Sequence, residues 1–426
     1  MKLNLILLCI VTSFIGCAPI KTNKKFEVVK IYEQHDLNQL GPCEPGIAIN
    51  KTNPDNIVAS SVLNNIHVSN NGGKTWNTFQ PKCDLGIYGD PVIECDNQGN
   101  FYYFHLSDID GKNWKSEHFL DRIVMQKSTD QGNSWTLGNS IGHHPGKQQD
   151  KQWACINPEN KEIYVTWTEF DNYGSNDPNC KSRILFSKST DEGLSWSQPI
   201  QISTHEGDCQ DDDLTTEGAV PTSDGKNIYV SWSWNHKIYF TKSEDLGRSW
   251  SSEETIIATQ KSGWSYQIPE INRANGFPIT ECYKNNNKEI LYANWSDQIN
   301  ENETNIYLSK SLDKGKTWTP AKIVNPNIKA HYFFNWMSID PSTGYIHVIY
   351  YMQNAFNKSI DVIYSYSKNQ GEKFKHIKLN SKPFSAKGVN FFGDYNNIDS
   401  YNKIISPIWT QVINGKLEIW SSVISE

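Results

Sequence analysis

One octapeptide pattern recurs along the chain and constrains its fold more than any other feature. The pattern is Ser-x-Asp-x-Gly-x-x-Trp, and its copies begin at Ser128, Ser189, Ser243 and Ser311, with altered copies at Ser69 and Ser367. Short β-rich runs such as 184–186 and 199–202 flank the copies, so each copy is predicted to be a hairpin turn. In such a turn Asp accepts hydrogen bonds from backbone N–H groups, Gly supplies a positive φ, and Trp packs the tip onto its own sheet. The recurrence predicts a repeat architecture built from similar β-sheets.

The repeated turn resembles the Asp-box, or BNR repeat, of sialidases and other sugar-processing β-propellers. In that family the box is structural. The resemblance therefore implies a propeller fold and leaves the reaction open.

A second repeated element, a strand pair that begins near an acidic or Pro-containing corner, lies between the boxes. It covers 44–61, 90–105, 150–167, 217–232, 277–295, 334–351 and 392–409, and the copy at 277–295 lacks the acid. The seven strand pairs match the six boxes if the last blade takes 26–32, near the N-terminus, as its fourth strand. We therefore predict an all-β fold, a seven-bladed β-propeller of four-stranded antiparallel blades over 26–426, with six blades as the alternative.

The N-terminal residues are typical of a bacterial lipoprotein. Lys2, the apolar run 3–11 and Cys17 predict a signal peptide over 1–16, lipidation of Cys17 and a tether over 17–25. The alternative is an ordinary secretory signal. Either signal exports the protein, and the lipoprotein reading places it in the cell envelope as a lipid-anchored monomer that meets the membrane only through the anchor.

Net charge and cysteine content limit the kinds of partner and cofactor that the chain is expected to bind. The net charge of −7 with no basic run argues against nucleic acid. No Cys-x-x-Cys motif or Cys/His cluster has zinc spacing, so no metal cofactor is expected. Ca²⁺ at the acidic run 208–213 is an alternative to a solvated loop. In an oxidising compartment the candidate disulfides are Cys43 with Cys83 and Cys180 with Cys209, whereas Cys95, Cys155 and Cys282 fall within strands as buried thiols.

Loops that connect successive blades share one face of a propeller, the rim, opposite to the boxes. The candidate catalytic residues expected on this rim are His105, His143, His144, Tyr173 and Arg183. Imidazole titrates near neutral pH and can take and return a proton, Tyr173 could partner it, and Arg183 could hold a carboxylate.

Further rim residues are candidates for substrate binding. They are Arg122, Arg273, Asp150, Trp153, His205 and Glu217. Three of the four arginines of the chain map to the rim, which points to an anionic substrate, although salt bridges to the abundant acids are the alternative. The acids Asp90, Asp150, Glu217 and Asp394 could supply a carboxyl pair for glycoside hydrolysis, or simply hydrogen-bond one blade to the next.

The sequence departs from sialidases at their first blade. The stretch 41–46 has no Arg-Ile-Pro motif, and no arginine precedes Arg122. We therefore expect elimination on a uronic acid by a lyase or dehydratase acting on anionic, uronate-containing oligosaccharides, with or without sulfate groups, in fold-level analogy with seven-bladed lyases. The alternatives are a sialidase-like glycoside hydrolase and a non-catalytic glycan-binding lipoprotein, which would have no use for the rim histidines.

Overall fold

The structure, a computed structural model, describes residues 21–22, 26–37, 39–285 and 288–425. The predicted signal peptide, Cys17 and most of the tether lie outside these residues and stay predictions. Within the described part, the regular structure is β-strand apart from one short 3-10 helix, Asn113–Lys115. No helix in these ranges is long and apolar enough to cross a membrane.

Pairing of the described strands gives seven four-stranded antiparallel units, which follow one another along the chain. The first strands of the chain are β1 (Lys21–Thr22) and β2 (Val28–Glu33). Unit 1 contains β3 (Gly46–Ile49), β4 (Ile57–Ser61), β5 (Asn65–Ser69) and β6 (Asn77–Phe79). Unit 2 contains β7 (Val92–Cys95), β8 (Phe101–Asp108), β9 (Phe119–Ser128) and β10 (Asn139–Ile141). Unit 3 contains β11 (Gln148–Ile156), β12 (Ile163–Phe170), β13 (Ser182–Ser189) and β14 (Ile200–Gln201).

Unit 4 contains β15 (Glu217–Ser223), β16 (Ile228–Trp234), β17 (Lys237–Ser243) and β18 (Thr255–Thr259). A separate hairpin follows it, formed by β19 (Ser265–Ile268) and β20 (Ile271–Asn275). Unit 5 contains β21 (Ile279–Asn285), β22 (Lys288–Asn300), β23 (Glu303–Ser311) and β24 (Lys322–Ile323). Unit 6 contains β25 (Ala330–Ile339), β26 (Ile346–Asn354), β27 (Ile360–Ser367) and β28 (Lys375–Lys378), and β1 pairs with β28. Unit 7 contains β29 (Asn397–Tyr401), β30 (Ile404–Ile413) and β31 (Lys416–Ser422), with β32 (Ile424–Ser425) beside β30.

The units close into a ring. The first strand of each unit contacts the first strand of the next, from β3 through β7, β11, β15, β21, β25 and β29, and β29 contacts β3 again. The N-terminal β2 pairs antiparallel with β31 and completes unit 7. The prediction of an all-β propeller closed by an N-terminal strand is confirmed. Seven units agree with the predicted number of blades, which stays a prediction.

Burial follows from this arrangement, because most sheets are covered on both faces by their neighbours. Every residue of β8 and β12 is buried, whereas both residues of the outermost strand β14 are exposed. Trp167, Trp232, Trp295 and Trp409 are fully buried at matching places on the second strands of four units. The apolar core therefore lies between the units.

The six Asp-box turns join the third and fourth strands of units 1 to 6. In the box of unit 3, Ser189 Oγ donates to Asp191 Oδ1 at 2.8 Å, and the Gly193 N–H donates to Ser189 Oγ at 2.8 Å. Asp191 also accepts the backbone N–H four residues further on, at 2.9 Å. Asn71 and Asn369 replace the aspartate in the altered copies and accept the same backbone bond. The predicted turns are confirmed, and all lie on the face opposite to the start of each first strand.

One of the two candidate disulfides forms. Cys180 is bonded to Cys209, as predicted, and links the loop after β12 to the loop before β15. The pairing of Cys43 with Cys83 is wrong, because both are free thiols. Cys43 is fully buried beside Glu44 at the start of unit 1, whereas Cys83 lies between β6 and β7 and is only half-buried.

Candidate functional site

Carboxyl groups gather where the first strands begin. They come from Glu44, Asp90, Asp150, Glu217 and Asp394, at the starts of units 1, 2, 3, 4 and 7. Because all first strands run in the same direction through the ring, these residues meet at one mouth of the central channel. With Lys151, Tyr173, Asp211 and Arg273 they form what we call the channel-mouth cluster.

A repeated backbone turn brings these side chains to the axis. Glu44, Asp90 and Lys151 have φ values of 50°, 49° and 54°, in the left-handed region that favours glycine. Gly218 and Phe334 hold positive φ at the matching positions of units 4 and 6, so the turn belongs to the repeat. β11 and β15 each carry a register shift at this point, which re-aims side chains as a β-bulge does.

Lys151 occupies the centre of the cluster. Its Nζ lies 3.6 Å from Asp90, 3.7 Å from Asp150 and 3.3 Å from Asp394. Burial opposes the charge on Lys151, but the surrounding carboxylates outweigh burial and raise its pKa well above the usual value. One buried ammonium therefore links the acids of three units.

A second layer lies against the first and contains Arg273, Asp211 and Tyr173. The Arg273 guanidinium contacts Asp211 at 2.6 Å and Asp394 at 3.1 Å. The Tyr173 hydroxyl donates to Asp211 at 2.5 Å. Asp211 thus receives one donor from the hairpin after unit 4 and another from the loop after β12.

Burial shifts the pKa values of several of these acids upward. Burial raises the pKa of Glu44 and Glu217 well above the usual range, and neighbouring carboxylates add to the effect. Burial also raises the pKa of Asp90, and that of Asp150 to about 7, although Lys151 acts in the opposite direction. Both carboxyl oxygens of Glu217 are buried without a hydrogen-bond partner. The cluster thus contains proton donors with unsatisfied polar atoms, which is uncommon for packing alone.

An aromatic face borders the cluster. The Trp114 side chain is 58% exposed, and its ring centroid lies 5.3 Å from that of Tyr173 and 4.5 Å from that of Phe119. An exposed indole beside proton-transfer groups is suited to stack against a sugar ring.

Below the cluster, aromatic rings plug the channel. The Trp153 ring lies 4.1 Å from that of Trp336, tilted by 36°, and 5.1 Å from that of Tyr395. The expected position of Trp153 on the rim is wrong, because the bulge in β11 turns the indole into the channel, where it is buried. Beyond the plug a cavity of about 620 Å³ extends along the first strands; it is lined by Glu94, Glu281 and three free thiols, Cys95, Cys155 and Cys282.

His105 is also misplaced by the sequence prediction. Its side chain is fully buried within β8, Nδ1 lies 2.8 Å from the Leu106 carbonyl, and the ring packs 4.8 Å from that of Tyr103. Burial lowers its pKa to about 4. The expected rim position is wrong because β8 continues beyond His105 to Asp108, so His105 has no access to the rim.

The other predicted histidines and arginines of units 2 and 3 form a paired network on the rim. Arg122 makes two bonds of 2.7 Å to Asp121, and His143 lies 3.2 Å from the same carboxylate. His144 lies 2.8 Å from Glu169. Arg183 contacts Glu169 at 3.0 Å, Asp171 at 2.9 Å and Glu206 at 3.2 Å. Each of these basic side chains already has a carboxylate partner.

His205 stands apart from both groups. It contacts Glu254 at 2.8 Å and packs 4.6 Å from the Trp234 ring, on unit 4. The structure therefore brings Tyr173, Asp150, Glu217 and Arg273 together, places His143, His144, Arg122 and Arg183 in the rim network, and leaves His205 outside both.

Sequence reasoning missed Lys151, Asp211 and Glu44 as members of the site. The available signal was position, because Lys151 directly follows a strand-start acid and Glu44 occupies the equivalent place in unit 1. Among the described residues, 208–213 included, no group of three or more His, Cys, Asp or Glu side chains is arranged to hold a metal ion.

Comparison with known proteins finds likeness in structure rather than in sequence. No family model matches the chain, and no curated protein matches it. An ulvan lyase bound to -[GlcA(1-4)Rha3S]- is similar over 92% of this chain and 95% of its own, with a TM-score of 0.54 and 14% identity. A protein of unknown function from Dyadobacter fermentans DSM 18053 is similar over 94% and 98%, with a TM-score of 0.53 and 14% identity.

A sialidase, NanB from Streptococcus pneumoniae, is similar over 81% of this chain and 69% of its own, with a TM-score of 0.50 and 9% identity. At such identities the likeness concerns the fold. The chain therefore has a sialidase-like propeller fold.

Proposed function

We propose that this protein is a carbohydrate-active enzyme that hydrolyses glycosidic bonds at the channel-mouth cluster. The observation that carries the proposal is the buried, unpartnered carboxyl of Glu217 among several other acids and two cations. Hydrolysis of a glycoside needs one carboxyl that donates a proton and another that accepts one, and environments that separate their pKa values assign the two roles.

The proton donor in this scheme is Glu217. An acid that keeps its proton near neutral pH can protonate the oxygen of the leaving sugar as the bond to the anomeric carbon breaks. Neither oxygen of Glu217 has a protein partner, so a substrate oxygen would supply its missing hydrogen bond. Asp150, whose pKa burial raises to about 7, is the second acid beside it.

The proton acceptor is drawn from the carboxylates that face Arg273. Asp211 and Asp394 both form ion pairs with it. Either carboxylate can take a proton from a water that attacks the anomeric carbon, so that the water oxygen joins that carbon and the leaving sugar receives the proton of Glu217. Tyr173, which donates to Asp211, positions that carboxylate.

Charge favours a substrate rich in hydroxyl groups at this mouth. The carboxyl groups of Glu44, Asp90, Asp150, Asp211, Glu217 and Asp394 outnumber the two cations, Lys151 and Arg273. Both cations are already paired, which leaves no free cation for a substrate anion. Carboxyl groups bind sugar hydroxyls by hydrogen bonds, and the exposed Trp114 provides a face for the ring.

Elimination on a uronic acid is the second candidate, and one observation favours it. In the rim network, the half-exposed imidazole of His144 lies 2.8 Å from the Glu169 carboxylate. The Lys147 ammonium lies 3.3 Å from the same carboxylate. In this reading His144 takes the proton α to the sugar carboxylate, Lys147 and Arg183 hold that carboxylate, and Tyr173 protonates the leaving oxygen.

The experiment that tests both candidates is incubation with neutral, uronate-containing, sulfated and sialylated oligosaccharides, read by mass spectrometry. Hydrolysis adds the mass of one water across the products, whereas elimination yields an unsaturated fragment. We expect hydrolysis that E217Q slows by about 10²-fold or more and H144A leaves in place. Unsaturated products that H144A abolishes would favour elimination, and binding of a glycan without any product would overturn both.

We further propose that the protein is anchored in the cell envelope through a lipid on Cys17. The apolar run 3–11 ahead of this cysteine supports the proposal. Membrane fractionation of the wild type and C17S tests it. Release of C17S into the soluble envelope fraction is expected, and equal membrane association of both would contradict it.

A further inference from the structure

The hairpin of β19 and β20 is not part of the repeat. It is inserted between units 4 and 5 and forms its own two-stranded sheet. The Gln298 side chain donates to the Gln267 carbonyl at 2.6 Å, and that of Gln353 donates to the Pro269 carbonyl at 2.7 Å. From β20 the side chain of Asn272 donates to the Asn390 carbonyl. The hairpin therefore crosses the channel-mouth face from unit 5 to the loop before unit 7.

The hairpin residue that reaches the acids is Arg273. Its guanidinium joins Asp211, in the loop before unit 4, to Asp394, in the loop before unit 7. The pairs with Asp211 and Asp394 are the contacts through which the hairpin touches the channel-mouth carboxyls. They span the mouth from one side to the other.

In this arrangement the reacting groups are closed to substrate. The relative exposure is 0% for Glu217, 1% for Asp394 and 5% for Asp150. Proton transfer requires a substrate oxygen within about 2.6–3.2 Å of the carboxyl. A sugar therefore reaches these acids only after something above them moves.

Glycine residues and side-chain hydrogen bonds connect the hairpin to the rest of the ring. The hairpin is flanked by Gly263, with φ of 83°, and Gly276, and glycines absorb backbone rotation at low cost. It is held by side-chain hydrogen bonds rather than by a strand ladder with the units. Four side chains of the hairpin itself, Tyr266, Ile268, Ile271 and Ala274, are buried, so the closed form is favoured until a ligand offsets their exposure.

The opposite side of the mouth is fixed. The Cys180–Cys209 disulfide and a 2.7 Å bond from the Gly174 N–H to the Cys209 carbonyl hold the two loops that carry Tyr173 and Asp211. Motion is therefore expected on the Arg273 side.

We infer that the hairpin Ser265–Asn275 is a lid over the channel-mouth cluster, latched by the ion pairs of Arg273 with Asp211 and Asp394, which must open before a glycan can reach Glu217. The inference rests on the proposed function for its biological meaning. Its geometry is tested without any glycan.

The test locks the hairpin and labels the acids beneath it. Asn272 and Asn390 are exposed and lie outside the channel-mouth cluster, so N272C/N390C is designed to place a disulfide between β20 and the loop before unit 7. The probe is a water-soluble carbodiimide with glycine ethyl ester, and peptide mass spectrometry measures the modification of Glu217. The controls are N272C alone and the wild type with reductant, because reductant also reaches the native disulfide.

We expect slow labelling of Glu217 in the wild type, labelling slower by about tenfold or more in the oxidised double variant, and recovery after reduction. R273Q, which removes the latch, should label faster than the wild type even if the engineered disulfide fails to form. Equal labelling in oxidised and reduced double variant, or no gain in R273Q, would overturn the lid. Gated labelling in a protein that cleaves no glycan would leave the lid standing and remove the hydrolytic function instead.

Discussion

At the scale of single residues, Glu217 is a buried acid for which hydrophobic packing alone gives no reason. It is fully buried, both of its oxygens lack partners, and burial raises its pKa well above the usual range. A neutral carboxylic acid has nearly the shape of an amide, so glutamine replaces its volume and its charge state but cannot donate the proton that catalysis needs.

We therefore predict that E217Q lowers kcat by about 10²–10⁴-fold while the free energy of unfolding stays the same or rises. The matched control is E94Q, because Glu94 also lines the channel, below the aromatic plug, and burial raises its pKa to about 8. Assays of kcat with urea denaturation measure both effects. Full activity in E217Q, or equal loss in E94Q, would contradict the assignment.

His105, unlike Glu217, is a buried titratable residue that we expect to have no role in catalysis. It is buried in β8 beside Tyr103, and burial lowers its pKa to about 4, so it acts as a neutral core residue. We predict that H105A lowers the free energy of unfolding by about 1–3 kcal/mol, through a cavity and a lost hydrogen bond, and leaves activity per folded molecule unchanged. Denaturation and kcat measured together test this. Loss of kcat in a stable H105A protein would return His105 to the chemistry.

At the scale of elements, two loops depend on one covalent link. Cys180 and Cys209 are both buried, and the loops they join carry Tyr173 and Asp211. The disulfide thus stabilises the fold and also fixes a hydrogen bond of the site.

We predict that C180S/C209S lowers the free energy of unfolding by about 2–4 kcal/mol and also lowers kcat, since the Tyr173–Asp211 contact loses its support. C83S, which alters a half-buried free thiol, is the control and should change neither. Chemical denaturation and steady-state kinetics measure the two effects. Unchanged kcat in the double variant would show that the loops hold the pair without the disulfide.

Sequence predicts best those elements whose conformation is determined by residues close together in the chain. Each Asp-box turn is specified by its own Ser, Asp and Gly, which bond to one another within eight residues, so the pattern alone predicts it. The closing strand was predicted from repeat arithmetic, with a shift from 26–32 to Val28–Glu33. The hairpin of β19 and β20 was missed because it occurs once and carries no repeat signal.

The site was only partly predictable because it depends on where strands end and which loops meet. Strand β8 continues for three residues beyond His105 and so buries it, and one bulge in β11 turns Trp153 inward. The meeting of Arg273 with Asp211, which are 62 residues apart in sequence, follows from ring closure and not from any spacing. Tyr173, Asp150 and Glu217 were predicted to lie near one another because strand-start and loop positions on adjacent units share the rim, and the structure brings them together.

At the scale of the whole molecule, the channel contains several carboxyl groups whose pKa values are raised by burial. The folded protein is therefore expected to be more stable at acidic pH, where these groups are protonated. Burial raises the pKa of Asp150 to about 7 and those of Glu94 and Glu281 to about 8. Buried histidines oppose them at lower pH, since burial lowers the pKa of His67 to about 3 and that of His347 to about 4.

Between pH 6.5 and 8 only the acids matter, because unfolded histidine titrates near 6.5 and is mostly neutral above it. In this window the unfolded chain has ionised Glu94 and Glu281, whereas the folded protein still holds their protons. Stability therefore falls as pH rises from 6.5 to 8, by about 1–2 kcal/mol for each acid. Below pH 6.5 the unfolded chain protonates its histidines more readily than the folded protein does. The buried histidines therefore offset the stability gained from the protonated acids.

Thermal unfolding of the wild type and of E94Q/E281Q across this pH window measures the effect. The double variant should show a flatter dependence of Tm on pH. A Tm that rises with pH in the wild type would contradict the assignment of protonated channel acids.

In the proposed function, carboxyl groups at the channel mouth hydrolyse a glycosidic bond. The most direct test is cleavage in oxygen-18 water of whichever oligosaccharide the panel identifies, with wild type, E217Q and H144A in parallel and mass spectrometry of the new ends. We expect one new sugar end per cleavage to carry the label, E217Q to form product at least about 10²-fold more slowly than the wild type, and H144A to form it at a comparable rate. Unlabelled, unsaturated products, or labelled products formed equally by E217Q, would contradict the proposed hydrolysis.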